Sequence, residues 1–145
     1  MKALLTAIKA RLQDSLSGVR DRDVFITEDE NLIPAGLKFP AVGIKDGPVA
    51  RKRAAGDLWE RTSQVSIIPW VRLTKEEAAI MGGAGSPGVL DLTSSIRAVL
   101  DGNTLDIAGM QDAECYSEQG SSTFGDEREA LQRKIITFTY MQDEV

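Results

Sequence analysis

Four groups of residues carry the side chains or spacing that chemistry needs. Gly83-Ala-Gly85-Ser-Pro-Gly88 forms a G-x-G-x-x-G directly before a helical pattern, with Asp106 eighteen residues beyond it. A dinucleotide site would use such glycines to bring backbone N–H groups and a helix N-terminus against a pyrophosphate. That fingerprint has to follow a buried parallel strand. Here Thr74 to Met81 reads as helix, opened by a Thr74/Glu77 capping pattern, Pro87 removes a backbone donor, and no Lys-Ser or Lys-Thr follows for a P-loop. The run reads as a helix-to-helix connection, and a small nucleotide-binding enzyme using loop 82–88 is the alternative from a different class. Arg51, Lys52 and Arg53 could touch phosphates, but no aromatic residue interleaves them and the whole chain carries a net charge of −5. They read as a solvated loop, with DNA contact only incidental.

The remaining groups are poorer in chemistry. There is no histidine, so the commonest general base, metal ligand and pH switch are all missing. Carboxylate pairs (Glu76 with Glu77, Asp126 with Glu127, Asp143 with Glu144) sit in polar runs on an expected surface rather than in a cleft. Cys115 is the single cysteine, which forbids an intrachain disulfide and a cysteine zinc cage; it reads as a small buried apolar residue with no cation beside it to favour the thiolate. The expectation is a chain without catalytic residues, cofactor or metal.

Elements that would position these residues follow from apolar periodicity. Leu4, Leu5, Ile8, Leu12 and Leu16 share one side of a helix over 2–16, stopped by Gly18. One short strand is expected around Val24 to Ile26. Phe39 to Lys45 reads as a strand ended by Asp46, Gly47 and Pro48. Residues 48–57, holding the three cations, read as an exposed, mobile loop. A long strand follows over 58–73, with Val65, Ile67, Val71 and Leu73 on one parity and Pro69 requiring an edge or a bulge. Trp59 and Trp70 fall on opposite parities, so at least one faces away from a single core, as an interface anchor would. Val89 to Leu100 is a second one-sided helix ended by Gly102, and Met110 to Ser117 and Leu131 to Gln142 are the last two strands. The long polar connection EQGSSTFGDERE between them is, with loop 48–57, a place for partner contacts.

Length and charge complete the picture. With 145 residues the chain is one domain, and no apolar run approaches a membrane span or a signal peptide's hydrophobic segment, so a cytoplasmic protein is expected. Residues 1–75 hold 13 Lys and Arg against 9 Asp and Glu, a net +4; residues 76–145 hold 4 against 13, a net −9. Such an imbalance can set opposite patches that attract in a head-to-tail contact.

The order of elements is a helix, a strand ending in a loop, a long strand closing on Val71-Arg72-Leu73, the helix GVLDLTSSIRAVL, and two antiparallel strands closing on IITFTY. In this layout the chain resembles the tail terminator, or tail-completion, proteins of long-tailed bacteriophages. The likeness runs from Met1 to Tyr140, with Thr74 to Gly88 as a longer insertion. It implies an α+β fold over 1–145: a mostly antiparallel sheet covered by the N-terminal helix and a second helix. It also implies a hexameric ring that caps the tail tube and joins it to the head, built in the bacterial cytoplasm and retained in the virion tail or neck. The implied partners are further copies of the chain, the tail-tube protein and the head-tail connector, with DNA passing through the ring and no membrane. Another connector or a tail-tube component is the alternative within the same machine. Arg51, Lys52 and Arg53 would meet complementary charge at Asp126, Glu127 and Glu129, and Trp59 or Trp70 would supply apolar affinity.

Overall fold

A computed structural model describes residues 1–73, 76–83, 87–124 and 130–144, with the side chain of Glu76 set aside. Helix α1 spans Lys2–Ser15 and turns Leu4, Ile8 and Leu12 inward, the i, i+4, i+8 stripe of the sequence. Strand β1 (Val24–Ile26) runs parallel to the start of β2 (Ala41–Ala55), and β2 and β3 (Leu58–Arg72) form a long antiparallel hairpin. Helices α2 (Glu76–Met81) and α3 (Val89–Leu100) follow, then strands β4 (Met110–Glu118), β5 (Ser122–Phe124), β6 (Leu131–Arg133) and β7 (Ile136–Glu144). The fold is α+β, with seven strands and three helices among the described residues. One pairing in the sheet, β1 with β2, is parallel; the others are antiparallel.

Strand β3 is the spine. It pairs with β2 along one side, with β7 from Trp59 to Ile67 on the other, and with β6 from Trp70 onward. Pro69 falls at the change of partner. It has neighbours on both sides, so it lies inside the sheet and not at an edge. Its carbonyl still accepts the Lys134 N–H at 3.2 Å, and the missing proline N–H coincides with the break between β6 and β7. That break also splits the single strand expected over 131–142.

The base of the sheet is covered on both faces. On one, α1 and α3 lay Ile8, Leu12, Ile96 and Leu100 over Val42, Ile44, Val65, Ile67, Ile136 and Phe138. On the other, Phe25, Ile68, Trp70, Leu131 and Ile135 form a second cluster against Ile33, Leu37, Phe39 and Phe124 from the loop and β5. Opposite parities of β3 thus feed two cores, where the sequence pattern suggested one.

Asp23 pins the loop between α1 and β1. Its buried carboxylate takes the Arg20 guanidinium at 2.6 and 3.1 Å and the Lys38 N–H at 3.1 Å. The Arg20 hydrogen bond holds this carboxyl below its usual range. A carboxyl depressed on folding contributes stability above its unfolded pKa, near pH 4, and loses it as pH falls through the lower folded value. Asp23→Asn should therefore cost about 2 kcal/mol at neutral pH and flatten the acid limb of a pH series of thermal melts.

Candidate assembly surface

The hairpin is the largest departure from expectation. Residues 48–57, read as a mobile loop, belong to two paired strands joined by the two-residue turn Gly56–Asp57, with Gly56 at φ +54° as the first turn position demands. From Val49 to Ala55, β2 is exposed, and among the described residues no strand pairs with its outer edge. These seven residues alone extend over 20 Å at about 3.3 Å per residue. With β3, β7 and β4 they make an arm whose two faces are set by register.

On the face continuous with the helices, the cross-strand rungs are Arg53–Trp59–Glu144 and Arg51–Arg61–Gln142. Arg51 and Arg53 stand over the Trp59 ring at 5.0 and 5.5 Å. Arg51 Nε donates to Glu144 Oε2 at 3.0 Å, and Arg61 Nη1 lies 4.0 Å from Glu144 Oε1, while the buried Arg61 Nε finds no acceptor among the described residues. Two guanidinium groups, Arg51 and Arg53, therefore stand over one indole, and two, Arg51 and Arg61, share one carboxylate. Lys52 alternates to the opposite face, on a rung with Glu60 and Asp143, and the rungs below bring Asp112 beside Thr62 and Met141 and Glu114 beside Thr139. That second face is acidic.

Of the residues singled out from sequence, Arg51, Lys52, Arg53 and Trp59 come together on the arm. Trp70 does not: it is 1% exposed in the second core, edge-on to Phe124 at 5.5 Å and under Arg133 at 5.3 Å, so it offers no surface to a partner. Asp126, Glu127 and Glu129 lie outside the described residues. The sequence pattern places Asp143 and Glu144 in a polar surface run beyond the last strand and does not single out Arg61, Glu60, Asp112 and Glu114 as site residues. The alternation of Ile136, Phe138 and Tyr140, carried on to Glu144, was the signal that the last residues still form a strand.

The other candidates resolve into structure. Ala84, Gly85, Ser86 and Thr74 lie outside the described residues, but the N-terminus of α3 is occupied by the chain itself: the Gly88 N–H donates to Asp91 Oδ2 at 3.1 Å. A carboxylate sits where a phosphate would have to bind. Asp106 is exposed and 3.4 Å from Arg11. Cys115 is half-buried on β4, and its N–H donates to Asp101 Oδ1 at 2.7 Å. Contrary to expectation, cations are near: Arg97 and Lys134 pull the thiol down, yet burial outweighs them and pushes it up, away from the thiolate. Arg97 bridges Asp101 at 3.1 Å and Glu118 at 3.0 Å, and Lys134 meets Glu118 at 2.7 Å, which keeps the Glu118 carboxyl below its usual range. This network ties the end of α3 to β4 and the β6–β7 junction. The depression beside it, lined by Ser94, Arg97, Ala98 and Asp101, is wide open. Among the described residues no group of three or more acidic or cysteine side chains could hold a metal ion, and no helix is long and apolar enough to cross a membrane.

No protein-family model matches the chain, and no curated protein matches it in sequence. Among solved structures it is similar to a chain in the virion of a native gene transfer agent (GTA) particle, with a TM-score of 0.59 and 14% identity over 97% of this chain and 95% of that one. At that identity the likeness is one of fold.

Proposed function

We propose that the protein is a structural component of a phage or phage-like virion. Copies of it form a ring that ends the tail tube and joins tail to head, with no catalysis. The fold likeness to a virion chain over nearly the full length of both carries this reading. The arm supports it: an exposed sheet holding Arg51, Lys52, Arg53 and Trp59 offers two different faces to other copies, and ring closure needs one surface to meet a different surface on the next copy. The nucleotide-binding alternative is disfavoured by Asp91, whose charge already fills the helix N-terminus.

Reversal of the three cations, Arg51→Glu with Lys52→Glu and Arg53→Glu, tests the role of the arm. These are exposed side chains, so the change should cost no more than about 1–2 kcal/mol of stability. Thermal melting should stay within a few degrees of the parent chain, while ring formation or tail attachment is lost in light scattering and in tail-joining assays. Normal assembly of the triple variant would remove the arm from the account.

A further inference from the structure

The two faces of the arm are both open and opposite in charge. One presents Arg51 and Arg53 over Trp59, with Arg51 and Arg61 both against Glu144. The other presents Asp112 and Glu114, both exposed, on the next two same-face rungs below the one holding Lys52, Glu60 and Asp143, and stays net negative with Lys52 among these four carboxylates. If two copies met arginine face to arginine face, like charges would oppose each other across a two-fold. A contact between unlike faces is instead heterologous, and repeats around a ring.

We infer that, in the ring, the arginine face of one copy's arm lies on the acidic face of the next copy's arm, sheet against sheet. This rests on the ring reading above and names its subunit contact. Sheets packed this way sit about 10 Å apart with strands roughly aligned. At that distance arginine side chains on one face reach carboxylates on the other. Trp59 and the partly exposed Val49 and Met141 supply apolar area within the charged frame. Each arm then uses its two faces on two different neighbours.

Complementation tests this contact. One variant carries Arg51→Glu and Arg53→Glu; the other carries Asp112→Lys and Glu114→Lys. Each alone should need at least tenfold higher concentration than the parent chain to form rings, as measured by light scattering and negative-stain micrographs, with melting temperature nearly unchanged. Mixed in equal amounts, the two should assemble at the parent chain's concentration, because in an alternating ring of six every contact again joins opposite charges. Assembly of either variant alone at the parent concentration would overturn the contact while leaving the ring standing. So would a mixture that stays monomeric. Failure of the parent chain to form any ring would overturn the ring reading first.

Discussion

Trp70→Ala should lower stability by about 3–5 kcal/mol, whereas Trp59→Ala should lower it by about 1. Trp70 is 1% exposed, with Phe124 at its edge and the Arg133 guanidinium over its ring, so truncation leaves a large cavity between the sheet and the loop that covers it. Domains of this kind are held by about 5–15 kcal/mol, so the loss is a large fraction of the whole. A fall of about 10 °C or more in melting temperature is expected. Trp59 is half-buried, lies under Arg51 and Arg53 and belongs to neither core cluster, so its removal forfeits two cation–π contacts and little core. The order reverses for assembly: Trp59→Ala should abolish ring formation at concentrations where the parent chain assembles. Thermal melting and light scattering on the two variants check both halves, and equal effects of the two on stability would contradict the division between core and arm.

Gly88→Ala should be equally damaging by a different route. A methyl group at residue 88 would press into the backbone of Gly82 and Ile80, which cannot move aside as a side chain could. The contact holds the end of α2 against the start of α3, and the Gly88 N–H to Asp91 bond depends on the same close approach. A loss of about 3 kcal/mol or more is expected, at the upper end of overpacking effects. The measurement is a denaturant titration, where the midpoint should fall with little change in slope. Gly88, the last glycine of the phosphate-loop mimic, thus has a second explanation, close packing of two chain segments, and a variant as stable as the parent would refute it.

Legibility from sequence followed burial. Helix α3 was read at its observed bounds because Gly88 and Gly102 punctuate it and Val89, Leu92, Ile96 and Leu100 share its covered face. Helix α1 and the inward parity of β3 were legible for the same reason. The arm was not. Neither of its faces is buried within the subunit, so no apolar alternation marks it, and Ala, Arg, Lys and Gly are poor strand formers whose pairing is set by the partner strand. The split of charge between its faces was further hidden by register shifts at Asp46/Val49, Arg53/Ala55 and Met110/Asp112, each of which breaks a simple odd-even count. The second core escaped because its parts, Phe25, Trp70, and Leu131 with Ile135, come from three separate segments with no shared period.

Light scattering on the parent chain across a concentration series, with micrographs of the heaviest species, bears most directly on the central claim. The account predicts a closed particle of six 15.7 kDa subunits with a central opening. A chain that stays at the mass of one subunit at every concentration would contradict it.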